Sequence, residues 1–163
     1  WVLSEYAGGA YMRRADTDLV YPDDLAPYHE GGQIWSSALM KIWGDLGRDI
    51  TDKIFLETHY LWGDRPTMQE AAEAFIQADI QLYDGTHLCS IINRFRLHGL
   101  TDRELTENVS NTTITADETI IGCDVNITNT DIENNSSVIV YAADEVTLNN
   151  GFSIELGSEL EIK

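Results

Sequence analysis

The order of apolar and polar positions splits the chain into two halves. From Ile34 onward, apolar residues recur every fourth position. Ile34, Ala38 and Ile42 form one row and Trp35, Leu39 and Trp43 the next. Two adjacent rows predict a helix that starts near Gln33 and is buried over a broad face. Gly44 and Gly47 interrupt the pattern. Asp49 or Thr51 can then cap a second helix, Asp52 to Leu61, with Ile54, Phe55, Thr58 and Leu61 facing inward. Thr67 with Glu70 three residues later is a capping box, opening a third helix to about Leu82. After the turn at Asp84-Gly85, Leu88 to Leu97 reads as a fourth helix stopped at Gly99. Residues 1–28 show no period and read as irregular.

Near Leu100 the helical period ends. Thr, Asn, Ile and Val then alternate in short runs, the composition of a β-sheet. Ala116-Asp117-Glu118-Thr119 is matched by Ala143-Asp144-Glu145-Val146, 27 residues on. The same shift aligns Ile114 with Tyr141, Ile121 with Leu148, Val125 with Phe152 and Ile127 with Ile154. This predicts two stacked β units of that length. Two units are few for a free-standing stack, so it is expected to pack on the helices or on another chain. The fold class expected is α+β in two parts: an all-α bundle over residues 1–105, then a small all-β, solenoid-like repeat over 106–163.

Composition narrows the partners. A hydrophobic share of 43% over 163 residues supports a real core, and no apolar run approaches the ~18 residues that a membrane span needs. The formal charge of −18 argues against nucleic acid, because phosphate binding needs clustered Lys and Arg. Cys89 and Cys123 could form one disulfide or stay two buried thiols, and sequence leaves both open. Asp16, Asp18, Asp23 and Asp24 offer oxygens to calcium but lack the register of a calcium loop, so solvated turn acids are the simpler reading. His59, His87 and His98 read as structural, His98 lying at the negative end of the fourth helix.

One constellation points to chemistry. Asp24 stands five residues before His29, Gly32 three after it, and Ile34-Trp35 opens the apolar helix. This segment resembles part of the helical half of fungalysin-type zinc metallopeptidases, relatives of thermolysin. The likeness extends in order through Asp52, Pro66-Thr67-Met68, the stretch Ala74 to Asp79 and the stretch Asn93 to Leu100, covering residues 10–100. Tyr11 to Arg14 and Tyr21-Pro22 are similar to the family's lead-in to its active-site His. The resemblance implies that His29 donates to the oxyanion of the tetrahedral intermediate and that Asp24 orients it.

The family's zinc is held by HExxH and a later acid, with the Glu as general base. This chain has no HExxH. In His29-Glu30-Gly31-Gly32-Gln33 a Gln stands at the second ligand position and the Gly pair breaks the helix that would align the ligands. Zinc is therefore expected from an upstream part of the same protein, and the 163 residues alone are expected to be inactive. Trp1 in place of a Met reads as the interior of a longer chain. The tail Val146 to Ile162 resembles endings of many secreted bacterial proteins. It implies a secreted or cell-surface location and attachment to export or surface machinery. The resemblance thus implies a polypeptide substrate. The competing expectation is a non-catalytic binding or anchoring protein that keeps a peptidase-like scaffold.

Overall fold

The computed structural model describes residues 13–26 and 31–163. Within them four helices come first: α1 (Gly32–Leu46), α2 (Arg48–Leu61), α3 (Met68–Tyr83) and α4 (Leu88–Leu97). Five strands follow: β1 (Thr106–Ile114), β2 (Glu118–Ile132), β3 (Ser137–Leu148), β4 (Ser153–Ile154) and β5 (Glu159–Ile162). The molecule is a mixed α and β fold with one five-stranded sheet.

The helices follow their apolar rows. Ile34, Ala38 and Ile42 are buried in α1, whereas the second row is only partly covered and Trp43 is exposed. α2 begins four residues earlier than the pattern predicts. Gly47 adopts φ 82°, reversing the chain in one residue, and its carbonyl accepts from Thr51 N–H at 3.2 Å. Thr51 thus lies inside the helix, buried, instead of capping it. α3 carries the expected box: Thr67 N–H donates to Glu70 Oε2 at 2.7 Å and Glu70 N–H to Thr67 Oγ1 at 3.2 Å. α4 ends where Gly99 turns left-handed at φ 67°.

Every strand pairing is parallel. β1 lies against the second half of β2, Thr106 opposite Asp124, an offset of 18 residues. β2 lies against β3 with Ile120 opposite Val140 and Val125 opposite Val146, offsets of 20 and 21. β4 continues the β2 side with Ile132 opposite Ile154, and β5 the β3 side with Val138 opposite Leu160, offsets of 22. The chain thus winds through three rungs, residues 106–122, 124–142 and 145–162.

The expected 27-residue register does not occur. Ile114 faces Ile132 instead of Tyr141, Ile121 faces Tyr141 instead of Leu148, and Ile127 faces Leu148 instead of Ile154. Backbone pairing sets the rung length, and the corners take the left-handed residues that allow a tight turn. Asn111, Asn129 and Gly151 share one corner at φ 52°, 46° and 83°. The Ala-Asp-Glu match records similar polar segments at different places on their rungs.

Two apolar clusters hold these elements. One unites Ile34, Ile54, Phe75, Leu88 and Phe95 of the helices with Ile121 of β2, and Leu105, Tyr141 and Ala143 pack against it. The other fills the stack with Ile114, Ile120, Val125, Ile127, Ile132, Val138 and Val140. Alternation along β2 makes this division: Ile120 points into the stack and its neighbour Ile121 toward the helices. Cys89 of α4 and Cys123 of β2 form a disulfide, Cα to Cα 4.6 Å. The stack does pack on the helices, as its shortness required.

Candidate functional site

The segment before α1 is fixed to the end of α4. Tyr21 N–H donates to His98 O at 2.9 Å, and His98 Nδ1–H donates to Leu19 O at 2.7 Å. A carbonyl can only accept, so this bond assigns the ring proton to Nδ1 in the neutral form. His98 Nε2 is buried with no hydrogen-bond partner among the described residues. His98 is therefore structural, as expected, but by strapping a distant segment and not by facing the helix dipole. Gly99 makes the close approach possible, since a Cβ there would stand 2.0 Å from Tyr21 O.

This strap presents the turn that carries Asp24. Asp24 N–H donates to Val20 O at 2.8 Å, and Val20 N–H donates back to Asp24 Oδ2 at 2.8 Å. Asp24 is exposed, and one carboxylate oxygen is committed to holding its own turn. His29 lies outside the described residues, as do Glu30 and the Tyr11-Met12 part of the lead-in. The structure therefore places Asp24, and the first turn of α1 at Gly32, on either side of the stretch that contains His29.

The other acids of this region have local partners. Asp16 accepts from Arg14 at 2.6 Å, and Asp18 is bonded to Lys41 of α1. The Arg14 and Lys41 cations hold both carboxyls below their ordinary value. Among the described residues, only Cys123, Asp124 and Asp144 bring three metal-binding atoms within 4.8 Å of one another. Cys123 is in the disulfide, so its sulfur is no thiolate ligand. Two carboxylates on a sheet surface do not make the site that zinc requires. The described residues thus do not fit zinc.

A second polar constellation lies between α3 and α4. Asp79 is fully buried and accepts from His87 N–H at 3.0 Å through Oδ2, with His87 Nδ1 at 2.7 Å from Oδ1. Burial pushes the Asp79 carboxyl up, partly countered by its bonds to His87. The pair ties the last turns of α3 to the start of α4 across the Asp84-Gly85 turn. His59 Nδ1 bonds Phe55 O at 2.7 Å within α2. Both rings serve the scaffold, in line with the sequence.

Between α1 and α2 runs an apolar groove of about 250 Å³, lined by Leu39, Met40, Trp43 and Phe55 with Thr51. Thr51 Oγ1 is buried there with no hydrogen-bond partner among the described residues. Sequence reasoning assigned Leu39 and Trp43 to the core; nothing in a helical period says how far a second row will be covered. It also passed over the asparagines. Asn126 Nδ2–H donates to Asn108 Oδ1 at 3.1 Å and Asn129 Nδ2–H to Asn111 Oδ1 at 2.8 Å, a two-column ladder. Its signal was available as paired asparagines 18 residues apart.

No helix among the described residues is long and apolar enough to cross a membrane. Comparison of the chain with family models, curated proteins and solved structures finds no match.

Proposed function

We propose that this chain is the helical half of a fungalysin-like, secreted zinc endopeptidase, joined to a solenoid-like β module. His29 is the transition-state donor and Asp24 orients it. The observation that carries the reading is the strapped turn. Asp24 stands on a loop fixed to the end of α4 by two hydrogen bonds, eight residues before Gly32 where α1 opens. Oxyanion stabilisation needs a donor held by fixed partners, and the Asp24 turn is such a partner. Asp24 Oδ2 already holds the turn, so Oδ1 is the oxygen available to an imidazole.

His29 places a ring N–H against the developing negative charge. An acid on the far nitrogen fixes the tautomer and favours the cation, strengthening that donor. The substrate is a polypeptide. The zinc ligands lie outside these 163 residues, and the chain alone is inactive. The disulfide is compatible with an oxidising, extracellular location. Export or surface machinery is the partner proposed for the β module.

The test is a protease assay on the protein extended upstream to include a zinc-binding half. His29→Ala should lower kcat by about 10²–10³-fold with zinc content unchanged, and Asp24→Asn should lower it less. An extended protein that binds no zinc and cleaves nothing would leave the scaffold as a binding or anchoring unit. Full activity in His29→Ala would remove the donor role alone.

A further inference from the structure

β2 and β3 fall out of step at one place. Gly122 pairs with Ala142 and Asp124 with Glu145, so Cys123 alone stands against two residues, Ala143 and Asp144. On the β1 side, Cys123 N–H and Asp124 N–H both donate to Leu105 O, at 2.9 and 3.1 Å. A bulge of this kind re-aims side chains that strict alternation would send to opposite faces. As a result Cys123 Sγ and one carboxylate oxygen from each of Asp124 and Asp144 lie within 4.8 Å of one another.

Cys89 brings a fourth donor to the same point, because its sulfur is bonded to that of Cys123. It lies in the first turn of α4, where the positive end of the helix dipole favours a sulfur anion. While the S–S bond is closed neither sulfur is a thiolate, which is why the oxidised chain does not fit zinc here. Opening the bond changes the donor set to two sulfurs and two carboxylates, ligands that a tetrahedral thiophilic ion accepts. Two sulfurs on such an ion stand about 3.8 Å apart at bonds of about 2.3 Å. The Cα atoms, 4.6 Å apart, can stay where they are. Asp124 is also steadied from outside the set, since Thr106 Oγ1–H donates to its Oδ2 at 3.4 Å. Carboxylates that ligate metals are themselves held by hydrogen bonds in this way. Cys89, Cys123 and Asp124 are half-buried and Asp144 is exposed, so a reductant and an ion can both reach the place.

We propose that Cys89, Cys123, Asp124 and Asp144 bind a thiophilic divalent cation, of the zinc and cadmium class, when the disulfide is reduced. The ion then takes over the tie between α4 and β2 that the S–S bond makes in the oxidised chain. A dithiol supplies two electrons and two protons, opening the bond to two thiols and leaving as its own disulfide. Binding of the cation releases both thiol protons as the thiolates form. The proposal is independent of the peptidase reading, whose zinc sits on ligands outside these 163 residues.

Cobalt(II) is the probe, because thiolate ligation gives it an ultraviolet sulfur-to-cobalt charge-transfer band. The full chain, reduced with dithiothreitol and desalted without oxygen, should develop that band on titration with cobalt and lose it when zinc is added. The oxidised chain should show none. Asp124→Asn combined with Asp144→Asn should weaken cobalt binding about tenfold or more, and Thr106→Val about tenfold. Zinc should raise the urea midpoint of the reduced chain toward that of the oxidised one, and should not do so in Cys89→Ala with Cys123→Ala. A reduced chain that gives no band, or that is unfolded by circular dichroism with cobalt present, overturns the proposal. So does an unchanged affinity in the double aspartate variant. Equal cobalt binding by the oxidised chain overturns it as well, leaving only exposed carboxylates that collect cations.

Discussion

Asp79 shows how one buried side chain can both hold and burden a fold. Its carboxylate receives His87 N–H and meets the His87 ring, yet burial raises its pKa. A carboxyl whose folded pKa is raised contributes stability below its unfolded value, near 4, and loses it as pH rises through the folded value. Asp79→Ala should cost about 2–4 kcal/mol at neutral pH, since the His87 groups lose their partner inside the protein. Asp79→Asn keeps the shape and removes the charge, so urea unfolding should show a smaller loss. Its stability relative to the parent should improve as pH climbs above about 4. An Asn variant as unstable as the Ala variant at every pH would mean that the charge itself is needed.

At the scale of elements, the helices were legible and the stack only partly so. The Thr67–Glu70 box, the α4 span and the stop at Gly99 were written in local chemistry, where three or four neighbouring residues decide the outcome. α2 was misplaced at its start because one glycine's left-handed turn outweighed the better cap residues after it. The stack's register depends on contacts some 20 residues apart, and similar polar segments suggested the wrong period. His29 and Asp24 are candidates by resemblance alone, and the strap that fixes Asp24's turn had no signal in the sequence. It joins Leu19 and Tyr21 to His98, groups too far apart in sequence for a pattern to link. The disulfide was open in sequence because pairing is a matter of geometry. It closes a loop of 34 residues between α4 and β2, worth about 4 kcal/mol of unfolded-state entropy. Reduction, or the double variant Cys89→Ala with Cys123→Ala, should lower unfolding free energy by about 2–4 kcal/mol in urea titration. No change on reduction would show that the staple adds nothing the apolar contacts do not already supply.

Across the whole molecule, acid should undo what burial and pairing secure. Asp45 receives a two-pronged bond from Arg94, at 2.7 and 2.8 Å, which joins α1 to α4 and holds its carboxyl below the ordinary 3.8. Burial alone would raise Glu73, but Arg103 and Gln77 bring it below 4.5, and Arg103 joins α3 to the segment before β1. Depressed carboxyls contribute stability above their unfolded values and lose it as pH falls through the folded ones. Because the helical cluster includes Ile121 and is covered by Tyr141 and Ala143, helices and strands should fail together. Far-ultraviolet and aromatic signals are expected to report one shared transition below about pH 4. Two separated transitions would mean that the clusters are independent.

The bond between Cys89 and Cys123 also sets how the molecule bears tension. If the β module is tethered while a peptide or fluid drags on the helices, the load has two routes between them. The chain from His98 through Leu105 is one covalent route, and the sulfur bridge is the other and the shorter. Force entering at the strands reaches α4 through Cys89, within its first turn, and passes along the helix to His98 and the strapped Tyr21 turn. The linker, held by Arg103 on Glu73 and by Leu105 against Cys123, shares the load. A protein wired this way would feel a pull at its scaffold without having its helices peeled from the sheet.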